Sequence, residues 1–137
     1  MQQVYFDGAS AGNPGISGCG LYIPTSNGQD ICRSFPLGIK TSNHEAEFAA
    51  LIQAVGFCLD RHFTAISLRT DSQLIVQSLE KGYVKRKIFA RYLEQALELS
   101  LRFNLFFCKW IPDRENKNAD RLARAAIFQQ QKARDGQ

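Results

Sequence analysis

The chain lacks any uninterrupted apolar run near the twenty residues that a transmembrane helix requires. It also lacks the basic stretch followed by an apolar segment that marks a secretory leader. We therefore expect no membrane association and a cytoplasmic location. Because 137 residues are enough to bury a substantial core, we predict a single domain over residues 1–131, followed by a frayed polar tail over residues 132–137.

Histidine is scarce and cysteine is unpaired. The two histidines are His44 and His62, and the four cysteines are Cys19, Cys32, Cys58 and Cys108, with no paired spacing among them. So few histidines argue against a zinc site built from His and Cys. Isolated cysteines in apolar neighbourhoods are typical of small core residues in a reducing compartment. The net charge of +4 and the pI near 9.0 favour a polyanionic partner only weakly.

Hydrophobic patterning predicts the element order βββαβααβα. The predicted strands lie at about 4–7, 18–24, 30–37, 66–71 and 103–111, and the predicted helices at about 42–59, 73–80, 88–101 and 116–130. Three neighbouring strands form a meander, and strands separated by helices need crossovers that make them parallel. The predicted fold is α/β, with a five-stranded mixed sheet of three antiparallel and two parallel strands flanked by helices.

Two aspartates follow predicted parallel strands. Asp7 ends an aromatic β run, and Asp71 ends the predicted strand at 66–71. Open α/β sheets place their sites at the carboxyl ends of such strands. Each acid also has a structural interpretation, because Asp7-Gly8 is a common turn signal and Asp71 could cap the next helix. Ser72 could provide that cap equally well.

Glu47 and Glu45 lie close together and must be distinguished. Glu47 heads an apolar helical stripe that continues through Leu51, Ala54 and Cys58. Glu45 lies on another side of the helix and completes the capping-box pattern that begins at Ser42. We therefore predict that Glu47 is the inward carboxylate and that Glu45 is structural.

Asp120 is the fourth candidate acid, one turn inside the last helix. The helix dipole alone could explain an aspartate there. Four carboxylates brought together repel one another unless cations neutralise them, and Mg²⁺ or Mn²⁺ prefers such oxygen ligands. Paired ions of this kind can clamp the attacking water and the leaving oxygen of a phosphodiester. The cluster therefore predicts phosphodiester cleavage.

The motifs together resemble type 1 ribonuclease H over nearly the whole chain. The matching segments, in order, are 7–8, 13–15, 18–20, 42–48, 70–73 and 115–123. The resemblance implies cleavage of the RNA strand of RNA–DNA hybrids, with two Mg²⁺ ions, or Mn²⁺, held by Asp7, Glu47, Asp71 and Asp120. The resemblance gives no indication of a protein partner.

The resemblance also implies residues that face the minor groove of the hybrid, namely Gly8, Ser10, Asn13, Asn43, His44 and Gln73. Short amide and hydroxyl side chains suit this role because the RNA 2′-OH both donates and accepts hydrogen bonds. The alternative for Asn13 and Asn43 is a turn or cap role.

A basic cluster surrounds the break between the second and third helices and comprises Lys81, Lys85, Arg86, Lys87 and Arg91. Exposed charges of this kind usually form a solvated surface, and the alternative is contact with phosphates of the DNA strand. Trp110 lies in the last strand, where we expect it in the core and not as a stacking platform.

Two departures from the family pattern bear on activity. The segment at 82–87 leaves no room for the long basic insertion of many members, so hybrid affinity could be lower. The loop at 112–115 has no histidine, which puts the turnover rate in question. One rival hypothesis is therefore a protein that binds hybrid or double-stranded RNA without cutting it. Another is a resolvase or integrase relative, which the Asn-rich loops disfavour.

Overall fold

A computed structural model describes residues 1–136 and has the predicted element order. The elements are β1 Gln2–Ser10, β2 Gly15–Ile23, β3 Ile31–Lys40, α1 Asn43–Asp60, β4 Ala65–Thr70, α2 Gln73–Lys81, α3 Lys87–Ser100, β5 Leu105–Trp110 and α4 Lys117–Asp135, with a short 3-10 helix at Asp113–Glu115 before α4. Among these residues, none of the helices combines the length and the apolar character needed to span a bilayer.

The five strands form one mixed sheet in the order β3-β2-β1-β4-β5. The pairs β1–β2 and β2–β3 are antiparallel, whereas β1–β4 and β4–β5 are parallel. The predicted fold class is therefore confirmed. Parallel pairing of β1 with β4 ends at Tyr5 and Arg69, so both strands lead toward the same edge of the sheet.

The helices cover both faces of the sheet. Val4, Phe6 and Leu68 pack with α1 and α3 in the main hydrophobic cluster. On the opposite face, Gly18 and Gly20 of β2 lie directly against the backbone of α4. Because alternate residues of a strand point to opposite faces, the sheet is enclosed by α1 and α3 on one side and α4 on the other.

Several predicted element ends are wrong, including those of β1 and α4. β1 does not stop at Asp7 but continues to Ser10, because its outer half pairs with β2 as far as Ser17. Helix α4 does not end near Gln130 but continues to Asp135. The Gln130 side chain holds it to the sheet by donating to the carbonyl of Ser17 and accepting from the N–H of Gly38. The last residue of the expected frayed tail, Gln137, lies outside the described residues.

Two predicted core positions are also wrong. Cys19 and Cys58 are buried and Cys108 is half-buried, but Cys32 is exposed on the edge strand β3. Trp110 retains 42% of its surface, because β5 is the other edge strand and Trp110 is its last residue. Hydrophobic sequence alone does not reveal which strands lie at the edges of a sheet.

Candidate active site

An open cleft of about 860 Å³ lies at the sheet edge where β1, β4 and β5 finish their parallel pairing. Its lining includes the four predicted acids, Asp7, Glu47, Asp71 and Asp120. Residues that are distant in sequence therefore meet in one cavity. The fold achieves this because β1 and β4 run parallel and the helices that carry the other two acids start at the same edge.

Three of the acids are near enough to share one ion. One carboxylate oxygen each from Asp7, Glu47 and Asp71 lies within 4.8 Å of the others. Asp7 is 7% exposed, so its carboxylate has lost most of its hydration. Burial, reinforced by the charges of Asp71, Asp120 and Glu47, raises the pKa of Asp7 to about 8.

Close contact between α1 and β1 brings Glu47 beside Asp7. A Cβ atom at Gly8 would overlap the backbone carbonyl of Ala46, the residue before Glu47. Gly20 pairs with Asp7 in the β1–β2 register, and a Cβ atom at Gly20 would overlap the backbone carbonyl of Ala119 in α4. Glycine at these two positions therefore allows both helices to approach the strand that carries Asp7.

Glu47 has a partner in His44. The Nδ1 atom of His44 lies 3.0 Å from Oε1 of Glu47, one helical turn away. Burial raises the pKa of the Glu47 carboxyl, Asp71 adds to this, and the hydrogen bond from His44 opposes it. The His44 ring is exposed and meets Phe89 edge-on, so it can approach both Glu47 and a ligand in the cleft.

Glu45 has a structural environment. Its carboxylate accepts hydrogen bonds from the N–H and hydroxyl of Thr41 and from the hydroxyl of Tyr92. The N–H of Glu45 donates to the Ser42 hydroxyl, which caps α1. These bonds hold the start of α1 against α3 and keep Glu45 away from the other acids.

Asp71 is free of any capping role. Ser72 caps α2, because its hydroxyl accepts from the N–H of Ile75. Burial raises the pKa of the Asp71 carboxyl, with further contributions from the charges of Asp113 and Asp120. Asp113 lies in the 3-10 helix and lines the same cleft, so it is a fifth acid near the cluster that sequence reasoning did not single out.

Asp120 differs from the other three acids. Both of its carboxylate oxygens accept from Nε of Arg124, at 3.2 and 3.1 Å, and its side chain is 41% exposed. It lies close enough to Asp7 to raise the pKa of that carboxyl. Asp120 therefore lies at the open end of the cluster, with a cation on its outer side.

The structure separates the predicted substrate-facing residues into two groups. Gly8, Asn43, His44 and Gln73 line the cleft together with the acids. Ser10 supports this group, since its N–H donates to the side-chain carbonyl of Asn43. Asn13, by contrast, is exposed in the turn between β1 and β2 and is not among the residues lining the cleft.

Sequence reasoning missed several cleft residues at the end of β5 and beyond it. They are Trp110, Asp113 and Lys117, joined by Arg114 and Arg124, for which no cleft position was predicted. The sequence did carry a signal for Trp110, because it ends the last parallel strand as Thr70 ends β4. The rule that identified Asp71 applies equally to this strand end.

The donor set fits a hard divalent cation. Carboxylate oxygens are the ligands that Mg²⁺ and Mn²⁺ prefer, and the cluster consists of carboxylates. The residues that line the cleft include no cysteine, and His44 is the one histidine among them. Burial is the main cause of the raised pKa of Asp7, and the neighbouring carboxylates add to it; a divalent cation would neutralise that crowded negative charge. Asp7, Glu47 and Asp71 could together hold one ion, with Asp120 at the side.

The chain is similar to known proteins. A family model described as reverse transcriptase-like matches residues 5–126. The chain is 39% identical over 130 residues to "Putative hydrolase EbsB" of Enterococcus faecalis, covering 93% of this chain and 94% of that protein. It is 33% identical over 125 residues to Ribonuclease HI of Halobacterium salinarum, covering 90% of this chain but only 63% of that protein.

Solved structures are similar as well. The crystal structure of the RNase H1 from Halobacterium salinarum matches with a TM-score of 0.86 and 33% identity, over 93% of this chain and 98% of that one. LC11-RNase H1, solved in complex with an RNA/DNA hybrid, matches with a TM-score of 0.84 and 28% identity, over 94% and 98% of the two chains. Given this extent of similarity, the chain belongs to the reverse transcriptase-like family and, within it, to the type 1 ribonuclease H proteins, as a short form without the basic insertion.

Proposed function

We propose that this protein hydrolyses the RNA strand of RNA–DNA hybrids, using two divalent ions, Mg²⁺ or Mn²⁺, held by Asp7, Glu47, Asp71 and Asp120. The observation that carries the proposal is the approach of three carboxylate oxygens to within 4.8 Å of one another in an open cleft. When bound, such ions stabilise the negative charge that develops at a reacting phosphate and help to ionise an attacking water.

The residues of the chain have distinct tasks in this reaction. The acids hold the ions, and the pKa of Asp7, raised to about 8, means that its carboxyl gives up a proton when an ion binds at neutral pH. His44 orients the Glu47 carboxylate through the contact of 3.0 Å. Asn43 and Gln73 line the cleft, where their side-chain amides can hydrogen-bond the 2′-OH and sugar edges of a hybrid.

The similar proteins and the net charge of this chain support the same substrate. Proteins named ribonuclease H are similar to this chain over most of its length, and LC11-RNase H1 has been crystallised with an RNA/DNA hybrid. The net charge of +4 also favours a polyanionic ligand.

Cleavage of an end-labelled hybrid tests the proposal, with Glu47→Gln and Glu45→Gln as a matched pair. Glu47→Gln should lower the cleavage rate by at least about a hundredfold, since it removes a charged group at the reacting centre. Glu45→Gln should cleave at nearly the parent rate but unfold at a lower temperature, because it weakens bonds to Thr41 and Tyr92. Equal cleavage rates for the two variants would contradict the assignment.

A hybrid-binding protein without nuclease activity is the second candidate. It is favoured by the pairing of Asp120 with Arg124, which occupies both oxygens of the fourth acid. Tight binding of the hybrid without cutting in either Mg²⁺ or Mn²⁺ would support it. An Asp71→Asn protein that cut as fast as the parent would exclude the proposed site.

A further inference from the structure

Trp110 is a cleft residue that the proposed reaction does not yet use. It ends β5, pairs with Thr70 of β4 in parallel register, and is 42% exposed. It therefore lies beside the strand end from which Asp71 extends. It is also the only tryptophan in the sequence.

A hydrogen bond fixes the position of the indole. Nε1 donates to the backbone carbonyl of Asp71, with 3.3 Å between the two atoms. Indole has one donor and no acceptor, so this bond uses its whole hydrogen-bonding capacity. The exposed part of the side chain is therefore apolar, and the hydrogen bond anchors it next to Asp71.

The surroundings of Trp110 suit a nucleic acid. Arg114 and Lys117 line the same cleft and supply positive charge to it. Cations that follow phosphates, combined with an aromatic ring that packs on nucleotides, are the usual composition of nucleic-acid grooves. Phe107 of the same strand is more exposed, at 51%, yet it is not among the cleft-lining residues. An aromatic side chain of β5 can therefore be exposed without lining the cleft.

We propose that Trp110 is a substrate-binding residue whose ring packs against a nucleotide of the bound hybrid, next to the phosphate at the acids. Its N–H at the same time holds the backbone of Asp71, so one side chain links the substrate to a metal-binding loop. This inference rests on the proposed function, because it requires a hybrid in the cleft.

Fluorescence of the sole tryptophan gives a direct test. The Asp71→Asn protein keeps the backbone carbonyl that accepts from Trp110, and in Mg²⁺ it should bind hybrid without destroying it. Adding hybrid should change the emission of Trp110 and reduce its quenching by acrylamide. Both effects should saturate, and the midpoint of each titration should equal the midpoint measured from the anisotropy of a dye-labelled hybrid.

Substitutions separate the ring from its hydrogen bond. Trp110→Leu should weaken hybrid binding on the order of tenfold, which is the effect of losing one aromatic stacking contact. Trp110→Phe keeps a ring but no donor, so it should retain most of the affinity and lower kcat instead. Phe107→Leu, the matched control, should change neither quantity. Thermal unfolding of each variant reports whether it is folded at the assay temperature.

The outcomes distinguish this inference from the proposed function. If anisotropy shows tight binding while the emission and quenching of Trp110 stay constant, the inference is overturned and the proposed function stands. Normal hybrid affinity of a folded Trp110→Leu protein would overturn it in the same way. If the parent protein binds no hybrid at all, the proposed function and the inference both fail.

Discussion

The side-chain amide of Asn116 donates a hydrogen bond to the backbone carbonyl of Phe6, with 3.0 Å between Nδ2 and O. Phe6 precedes Asp7, and the carbonyl of Asn116 itself accepts the N–H of Asp120 at 3.0 Å. Asn116 is 1% exposed, so this bond is shielded from water. One buried side chain therefore joins the strand that carries Asp7 to the start of the helix that carries Asp120.

Asn116→Ala should destabilise the protein and slow cleavage together. Loss of a buried hydrogen bond costs about 1–3 kcal/mol, and the separation of Asp7 from Asp120 is no longer fixed. Urea unfolding measures the first effect and single-turnover cleavage the second. Asn118→Ala, at an exposed position one half-turn along α4, is the control and should be close to neutral. Parent-like stability of Asn116→Ala would contradict this role.

Asp7 should make the metal-free protein less stable as the pH rises. Its carboxyl ionises near 3.8 in the unfolded chain and near 8 in the folded protein. Between these values the folded state binds a proton that the unfolded state has released, so the free energy of unfolding falls with increasing pH. Thermal unfolding in chelator from pH 4 to pH 8 should show this decline, and added Mg²⁺ should reverse most of it at the alkaline end.

Asp7→Asn should flatten this pH dependence. An amide cannot ionise, so the variant should be more stable than the parent at pH 8 in chelator while losing cleavage. Asp135→Asn changes an exposed acid near the end of α4 and should keep the parent slope. A parent-like slope in Asp7→Asn would show that other groups cause it.

Arg124 should weaken the binding of divalent ions in the absence of substrate. It places a positive charge about 3 Å from Asp120, although the pair is largely exposed and screened. Arg124→Ala should tighten Mn²⁺ binding by roughly twofold to fivefold at low salt, and the gain should shrink as salt is added. Calorimetric titration measures both. Arg121→Ala removes an exposed cation from the same helix outside the cleft lining and should have a smaller effect.

Gly8 and Gly56 should respond in opposite directions to alanine. A Cβ atom at Gly8 would overlap the carbonyl of Ala46, so Gly8→Ala should push α1 away from β1, lower stability and reduce metal affinity. Gly56 lies inside α1 with open space around it, so Gly56→Ala should stabilise the protein by about 0.5–1 kcal/mol. Urea unfolding of both variants checks this, and a neutral Gly8→Ala would contradict the close contact.

Local chemistry in the sequence was sufficient for the elements and for some choices within them. Periodicity predicted the order of strands and helices, and the capping box with the apolar helical stripe separated Glu45 from Glu47. These inferences succeed because capping and helical periodicity involve residues within one or two turns of each other, where sequence spacing fixes spatial relation. The order of elements in turn predicted the five-stranded mixed sheet, which the sheet order confirms. The choice between Asp71 and Ser72 as the cap of α2 stayed open until the structure showed that Ser72 caps it.

Long-range contacts could not be read from local spacing. The extension of β1 depends on its pairing with β2, and the end of α4 depends on contacts between Gln130 and the sheet. Exposure of Trp110 and Cys32 follows from the edge positions of β5 and β3. A side chain on a strand is buried only if another element packs against it. That element comes from elsewhere in the chain, so the local sequence pattern does not reveal it.

The sequence by itself determined which residues could do the chemistry, namely an acid in the first strand, an acid next to the fourth strand and an acid on each of two helices, with amides and a histidine near them. Only the tertiary structure decided their distances, and it set Asp7, Glu47 and Asp71 together while leaving Asp120 paired with Arg124 at the open end. The reason is physical. Residue types fix charge and hydrogen-bonding capacity, but repulsion between carboxylates is overcome only when the packing of a whole core fixes their positions.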